Sequence, residues 1–509
     1  MSQKKNIIKG TLILTSAGII SRIIGFYYRI FLAGLIGTQG LGLYQMAMPV
    51  ASLSFALCAS GIQTAISRYV STSSTPKKHL LCGLFLSLTV SFLVSWILCD
   101  ACDYIALEIM GDKRLSMLIK IIALSIPLSS VHACINGYYI GRQKSSMPAL
   151  SQLLEQIIRV SGVYLIASIQ LSQGHEITPA TGMCGLLMGE AFSALFCTTC
   201  FVLSNPSAPK QKQTTDFNYY GETKNILAMS FPLTANRVLL HIFVSIEAVL
   251  IPNMLIRHGL SSNDALSLYG IFTGMSIPLI MFPTAIVNAF STMLLPAVSK
   301  AATSHSRHIL SETTQKSIEL CCVLGIFATA GFLIYGRDLC TFLFGNDTAG
   351  TYVVTLAWLC PFLYLAGTTS SILNGLSKTV TTCYQNVLCL IVRIAFVIFA
   401  IPVYGVAGYL MGVLVSQLLL ALLHIHSLKK LISFTYDVTS CIIKPVTYVF
   451  TASGISLYCY TFIMNHCTIN VFAAMIISGT VMIVLYILLL LCDSSTRSIF
   501  TGGKKKLPQ

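Results

Sequence analysis

Residues 469–492 read INVFAAMIISGTVMIVLYILLLLC and contain no charged side chain. A helix needs about 20 consecutive apolar residues to cross the hydrocarbon core of a bilayer, so this run is long enough for one crossing. Similar runs recur along the whole chain of 509 residues, of which 55% are hydrophobic and 10% charged. The mean hydropathy is +0.78. The composition therefore indicates a polytopic membrane protein and excludes a cytosolic enzyme, a disordered scaffold and a secreted disulfide-rich module.

The apolar runs predict an all-α protein with about fourteen transmembrane helices. The runs are continuous rather than alternating, which is not the pattern of a β-barrel. The predicted spans are 11–36, 44–70, 80–99, 116–137, 149–170, 181–203, 226–254, 266–294, 317–336, 351–374, 384–402, 405–425, 441–463 and 469–492.

The basic residues predict the orientation of the chain. The net charge is +15, and the basic residues cluster in short segments between the apolar runs, so topology explains them better than nucleic-acid binding does. If the N-terminus is cytoplasmic, 22 of the 32 Lys and Arg residues fall on the cytoplasmic side, 5 on the other side and 5 within spans. We therefore expect a multi-pass protein of the bacterial plasma membrane with both termini in the cytoplasm.

Two segments resemble each other at an offset of 223 residues. Residues 182–195 read GMCGLLMGEAFSAL, residues 405–418 read GVAGYLMGVLVSQL, and seven of the fourteen positions are identical. The match predicts two parallel six-helix repeats that form two lobes around a central cavity. The predicted regions are an N-lobe (1–204), a cytoplasmic linker (205–225), a C-lobe (226–426) and a final part (427–509) with two helices and a basic tail. The GxxxG pairs within the two segments predict close helix packing.

Two arginines lie in the first predicted span. Arg22 and Arg29 are seven residues apart, so they share one helix face about 10 Å long, and that helix contains no acidic residue. A guanidinium fork matches the geometry of phosphate, so the pair predicts a site for a large anion. The alternative is that one of them pairs with a Glu on another helix.

Further polar residues lie within predicted spans. Arg237 and Glu247 share the seventh span but are about 15 Å apart along it, too far to pair directly. Glu247 is either an ion-coupling site or the partner of Arg22 or Arg29. Gln63 and Asn236 either line a cavity with Arg237 or bridge helices.

The remaining ionisable groups and cysteines favour structural interpretations. Glu155 and Arg159 are four residues apart and are expected to pair, and Glu190 and Arg393 are expected to be neutralised within the bundle. The two CxxC motifs, at residues 99–102 and 197–200, lie at opposite ends of the predicted spans and cannot share one metal ion. No metal site, catalytic residue or cofactor is expected, apart from a coupling cation whose identity stays open.

The stretch KGTLILTSAGIISRIIGFYYRIFLAGLIGTQGLGLYQMAMPV (9–50) resembles the stage V sporulation protein B family, as do residues 59–71, 245–252, 268–301 and 359–378. That family belongs to the multidrug/oligosaccharidyl-lipid/polysaccharide exporter superfamily, together with the lipid II flippases. The resemblance implies fourteen helices and a cavity arginine at Arg22, within the motif Ser-Arg-Ile-Ile-Gly-Phe. Arg29 fits the motif less closely, because one extra residue separates the two arginines. Residues 56–63, ALCASGIQ, lack a further arginine of those flippases, and so does the eighth span, for which Arg237 is the candidate substitute.

The resemblance implies a function in envelope synthesis. The expected activity is flipping of an undecaprenyl-pyrophosphate-linked sugar, such as lipid II or a spore-cortex precursor, from the cytoplasmic to the outer leaflet by alternating access. The expected partners are this lipid-linked oligosaccharide, membrane lipids and cell-wall synthases, and the expected state is a monomer. One alternative is a cation-coupled multidrug exporter of the same superfamily, whose cavity would be acidic. Another is a membrane-embedded enzyme of envelope synthesis.

Overall fold

The computed structural model describes residues 2–73, 75–204, 218–284, 287, 298, 307–432, 434, 438–466 and 469–493, and these ranges contain helices and no strand. Twelve helical segments within them are long and apolar enough to cross a membrane. One of the twelve, Ile13–Thr72, has 60 residues and covers two predicted spans, and the helix Ser146–Ser172 is not among the twelve. The predicted multi-pass helical architecture is confirmed, whereas the count of fourteen stays a prediction.

The described residues divide into two compact units, each treated separately below. The first comprises Met1–Ile256 and Leu260–Gly270, and the second comprises Arg257–Gly259 and Ile271–Gln509. The helices of the first unit are α1 (Ser2–Phe55), α2 (Gly61–Thr72), α3 (Pro76–Asp100), α4 (Cys102–Tyr104), α5 (Leu115–Gly141), α6 (Ser146–Ser172), α7 (Pro179–Leu203), α8 (Tyr219–Arg257) and α9 (Ser262–Gly270), with π-helical turns at Ala56–Ser60 and Ile105–Ile109.

Helix α1 is broken at Gly37 into a first arm (residues 2–36) and a second arm (residues 38–55). Gly37 has φ 70° and ψ 179°, a conformation that glycine adopts without the steric cost of a Cβ. The hydroxyl of Tyr28, in the first arm, donates to the carbonyl of Gly182 at 3.2 Å, and the ring of Tyr44, in the second arm, contacts the same glycine. In a straight helix Tyr28 and Tyr44 would lie about 24 Å apart. The chain therefore bends sharply at Gly37, in the predicted gap between the first two spans.

The predicted close packing of the GxxxG pairs is confirmed in both units. In the first unit, a Cβ at Gly189 of α7 would lie 3.0 Å from the Glu155 carbonyl of α6. In the second unit, a Cβ at Gly412 would lie 2.6 Å from the Cβ of Phe396 on the preceding long helix. Side chains at these glycines would separate the helices, so each copy of the repeated segment uses them for the same kind of contact.

Helices α8 and α9 pack within the first unit, beyond the predicted N-lobe limit at residue 204. Near its start, α8 carries Glu222, which lies 3.4 Å from His79 of α3. On α9, Ser267 donates to Thr38 of α1 at 2.7 Å. Residues 205–217 of the predicted linker lie outside the described residues, and residues 219–225 are helical rather than linker. The limits of the lobes stay a prediction.

Helices α1 and α9 cross with almost no space between their backbones. A Cβ added at Gly42 of α1 would overlap the Leu266 carbonyl of α9, and one added at Gly270 would overlap the Thr38 carbonyl of α1. Only glycine permits this approach, because any side chain would push the two helices apart.

We expect Gly42→Ala to lower the free energy of unfolding by roughly 1–3 kcal/mol, the usual cost of overpacking a tight contact. The measurement is the thermal unfolding midpoint of the purified protein in detergent. Gly34→Ala is the matched control, since nothing lies within 4 Å of the Cβ position at Gly34. Equal unfolding midpoints for the two variants would show that the crossing tolerates a methyl group.

The second unit contains the remaining helices. The predicted span 266–294 is described as far as residue 284, as α9, a π-helical turn and α10, and most of its later part lies outside the described residues, as does the basic tail from residue 494. The helices are α10 (Ile277–Met281), α11 (Arg307–Phe344), α12 (Asp347–Leu356), α13 (Cys360–Gly375), α14 (Thr379–Phe399), α15 (Ile401–Tyr404), α16 (Val406–Leu431), α17 (Lys444–His466) and α18 (Val471–Cys492), with π-helical turns at Ile271–Ser276 and Thr439–Ile443 and a 3₁₀ turn at Ala357–Leu359.

The last two helices, α17 and α18, pack on each other and on α11. The hydroxyl of Tyr486 donates to the Val323 carbonyl at 3.1 Å, and the hydroxyl of Tyr460 donates to Asp338 at 2.7 Å. These long-range hydrogen bonds satisfy polar groups that would otherwise be exposed to lipid.

Candidate functional site

The two arginines of the first arm of α1 differ in their surroundings. Both lie in one unbroken helical stretch, two turns apart, as the sequence predicts. Arg22 is exposed and makes no hydrogen bond or ion pair within the described part of the chain. Arg29 is half-buried. Helix α1 therefore presents one positive charge at its surface and holds the other against its neighbours.

Arg29 lies beside a group of polar side chains on two helices, α1 and α6. Its charge interacts with Arg159 of α6 and with the hydroxyls of Tyr28 and Tyr44. Helix α1 packs on α5, α6 and α7, which brings these groups together. Arg29 forms no ion pair of its own among the described residues, so its charge can attract an anion.

Arg159 forms one pair with an acidic side chain, and a second acid–base pair lies next to it. In the first, Nη2 of Arg159 lies 2.6 Å from Oε1 of Glu155, one helical turn earlier on α6. In the second, Nε2 of His132 on α5 lies 2.7 Å from Oε2 of Glu190 on α7. One imidazole nitrogen of His132 and one carboxylate oxygen each of Glu155 and Glu190 all lie within 4.8 Å of one another. We call His132, Glu155, Arg159 and Glu190 the polar tetrad.

The polar tetrad is enclosed by helices. Its four side chains are between 11% and 14% exposed. It lies where α5, α6 and α7 pack against one another, with Glu190 near the middle of α7. Charges at such a depth are costly unless they are balanced locally, so the pairing within the tetrad is a condition of its burial.

Hydrogen bonds between uncharged side chains extend from the tetrad along α6 and α7. Ser151 and Ser193 share a hydrogen bond of 2.6 Å, and the thiol of Cys197 lies 3.2 Å from Ser151. The amide of Asn136 lies 3.5 Å from Nδ1 of His132, at the limit of a hydrogen bond. Cys197 is thus a free thiol in a serine-lined helix contact, consistent with the structural interpretation of its CxxC motif.

The other predicted site residues lie elsewhere in the first unit. Nη2 of Arg237, on α8, lies 3.4 Å from the hydroxyl of Thr64 on α2. Gln63, the neighbour of Thr64, packs against Gly137 of α5, and Asn236 is exposed on α8. The structure therefore brings Arg237 to α2 and Arg29 to the polar tetrad.

Glu247 is the most deeply buried of the predicted site residues, with 4% exposure on α8. Its burial agrees with the sequence, which places it deep in a span. Both predicted roles, ion coupling and pairing with an arginine of α1, stay predictions.

The sequence predicted one of the two ion pairs of the tetrad and missed the other. The Glu155–Arg159 pair is confirmed. Glu190 pairs within the bundle with His132, a residue not among the predicted ones, and this pair is neutral only when it holds a proton. The available signal was an ionisable side chain inside the apolar span 116–137.

Comparisons with known proteins agree with this architecture. Residues 7–302 match a family model described as "Polysaccharide biosynthesis protein". The chain is 26% identical over 452 residues to stage V sporulation protein B of Bacillus subtilis (strain 168), a match that covers 86% of each chain. It is 21% identical over 468 residues to lipid II flippase MurJ of the same strain, covering 86% of this chain and 85% of that one.

A solved structure shows the fold independently. The structure of lipid II flippase MurJ in an inward closed conformation superposes with a TM-score of 0.71 and 17% sequence identity, covering 96% of this chain and 98% of that chain. The predicted all-helical fold of two lobes is thereby confirmed.

Proposed function

The chain belongs to the polysaccharide biosynthesis protein family, and from this premise we propose that it is a lipid flippase. The proposed substrate is an undecaprenyl-pyrophosphate-linked sugar, either lipid II or a related precursor of the cell envelope or spore cortex. The proposed reaction is movement from the cytoplasmic to the outer leaflet by alternating access, with no chemical change to the lipid. Similarity to stage V sporulation protein B over 86% of both chains supports the proposal.

The observation that carries the proposal is the exposed charge of Arg22 within an apolar helix. An arginine at the centre of a membrane costs about 2.5–3.5 kcal/mol on insertion scales, unless it faces water or an anion. In the described residues Arg22 has no acidic partner. A pyrophosphate group would neutralise this charge through the bidentate geometry that a guanidinium group offers.

The proposal also explains how a polar head group could cross the membrane. A sugar-pyrophosphate head group cannot cross about 30 Å of hydrocarbon unaided. Arg22 and Arg29, with Arg237 as a third cation, would hold the head group in a polar cavity, while the polyprenyl chain stays in the lipid. Gln63 and Asn236 would contact the uncharged part of the head group by hydrogen bonds.

The direction of transport follows from a proposed topology. We place both termini in the cytoplasm of a bacterial cell, because 22 of the 32 basic residues fall on that side of the predicted spans. The proposed partners are membrane lipids and the cell-wall synthases that use the flipped lipid, and the proposed state is a monomer.

We expect the protein to restore growth of a bacterium depleted of its lipid II flippase. The direct measurement is the fraction of lipid II accessible to an impermeant reagent at the outer leaflet of intact cells. Accessible lipid II should recover with the wild-type protein and should stay at the depleted level with Arg22→Ala at equal membrane abundance.

Each competing function has its own outcome in this experiment. Export of cationic drugs without recovery of accessible lipid II would favour a multidrug exporter. Conversion of a lipid-linked sugar to a new chemical species by the purified protein would favour a membrane-embedded enzyme. Either result would overturn the flippase proposal.

A further inference from the structure

The polar tetrad carries a charge that depends on one proton. Glu155 and Glu190 supply two negative charges, and Arg159 supplies one positive charge. With His132 neutral the tetrad has a net charge of −1, and with one proton added at the His132–Glu190 pair it is neutral. The 2.7 Å contact between Nε2 of His132 and Oε2 of Glu190 gives that proton a position between two bases.

A buried site of this kind attracts one compensating positive charge. Its four side chains are at most 14% exposed, and a net charge in such surroundings is unfavourable compared with a neutral cluster. A proton fits better than a metal ion, because Arg159 already occupies one carboxylate and would repel a metal cation beside it.

Two neighbouring helices place charged side chains close to His132. Helix α7 contributes Glu190, and α6 contributes Glu155 and Arg159. In the described residues, α2 and α3, which also pack on α5, place no charged side chain among these groups.

Helix α1 connects the tetrad to the proposed substrate site. Around Arg159 it contributes Tyr28, Tyr44 and Arg29. The charge of Arg29 therefore interacts with a cluster whose net charge is either −1 or zero.

We propose that the polar tetrad is a proton-binding site whose charge sets the affinity of Arg29 for an anionic substrate. The inference deepens the proposed flippase function and depends on it for the identity of the anion. Without the proton, the tetrad at −1 neutralises Arg29 in part and weakens its hold on pyrophosphate. With the proton, the tetrad is neutral and Arg29 is available to the anion. By reciprocity, binding of the anion raises the proton affinity of the tetrad, which couples substrate binding to proton uptake.

Substitutions at His132 and at Glu190 should change the affinity for the anion in opposite directions. His132→Gln removes the proton-accepting ring and leaves the tetrad at −1, so it should bind the anion weakly at every pH. Glu190→Gln removes one negative charge and leaves the tetrad neutral, so it should bind the anion tightly at every pH. A purely structural pair would respond to both substitutions in the same direction.

The first experiment measures the affinity of the purified full-length protein for undecaprenyl pyrophosphate in detergent micelles. The pH runs from about 5.5 to 8.5, a range that brackets the pKa of an ordinary histidine side chain. Wild-type affinity should fall with rising pH by up to about tenfold per pH unit, the limit for one linked proton. His132→Gln should lose this slope and stay at the weak level, whereas Glu190→Gln, which keeps the His132 ring, should bind more tightly than the wild type across the whole range. The matched control is His79→Gln, which removes a second His–Glu pair found among the described residues of this unit, with Glu222 at 3.4 Å, and should keep the wild-type slope.

Three results would overturn the inference: a flat wild-type profile, a slope retained in His132→Gln, or a slope lost in the control. Replacing sodium by choline in the buffer should leave the profile unchanged, and a requirement for sodium would overturn the choice of a proton.

A second experiment does not need the substrate. Protein labelled with ¹⁵N-histidine should show the His132 signal titrating in the same pH range, with the assignment given by its loss in His132→Gln. If this signal titrates and no undecaprenyl pyrophosphate binds at any pH, the proton site stands and the proposed substrate is wrong. If the lipid binds and the His132 signal keeps one protonation state throughout, the inference fails and the proposed function stands.

Discussion

Alanine at Arg22 or at Arg29 is expected to abolish transport while the protein still folds and inserts. Truncating one partner of a close charge pair costs roughly 2–5 kcal/mol in binding, which corresponds to an affinity loss of at least about 30-fold. Arg22 is exposed, and Arg29 forms no ion pair among the described residues, so neither substitution breaks a salt bridge. Lysine keeps the charge and loses the bidentate fork, so it should retain partial activity at most. The measurement is outer-leaflet lipid II beside membrane abundance for each variant.

Arg114→Ala is the control for a general effect of lost positive charge. Arg114 is 46% exposed and pairs with Asp112 outside the apolar helices, so its loss should leave transport unchanged. Full transport by Arg22→Ala at normal abundance would contradict the anion site, because Arg22 carries the proposal.

Arg159→Leu is expected to destabilise the first unit strongly. Removing one partner of a buried ion pair costs about 3–5 kcal/mol, because the remaining charge is left without compensation. Here that charge is the carboxylate of Glu155, 14% exposed, with Glu190 close by. The measurement is the free energy of unfolding or the unfolding midpoint in detergent.

The double variant Glu155→Gln/Arg159→Leu separates charge from packing. It removes the unpaired carboxylate and should recover most of the lost stability. Loss of the exposed Arg337–Asp347 pair, whose side chains are 62% and 64% exposed, should change stability by only about 0–1 kcal/mol. A double variant as unstable as Arg159→Leu alone would show that the guanidinium group acts through packing rather than charge.

Local spacing explains which parts of this site the sequence could predict. Glu155 and Arg159 are one helical turn apart, so their pairing follows from helix geometry alone. The glycines at 185, 189, 408 and 412 predict close packing because two small residues four apart on an apolar helix let a neighbouring backbone approach closely. Both features are confirmed.

Partners on different helices could not be predicted in the same way. His132 and Glu190 are 58 residues apart. In a soluble helix the apolar face identifies the side that packs inward, whereas a transmembrane helix is apolar all round and gives no such signal. The packing of α8 and α9 within the first unit could not be predicted for the same reason. Their contacts to α2, α3 and α1 join residues more than 130 positions apart.

The bend at Gly37 has a consequence for how the protein enters the membrane. Because a single glycine joins the two arms of α1, no polar loop of any length separates them. The first arm carries Arg22 and Arg29, each of which opposes partitioning into lipid by about 2.5–3.5 kcal/mol at mid-depth. The second arm, residues 38–55, has no charged residue. We therefore expect the two arms to insert into the bilayer together, with the uncharged second arm favouring insertion of the first.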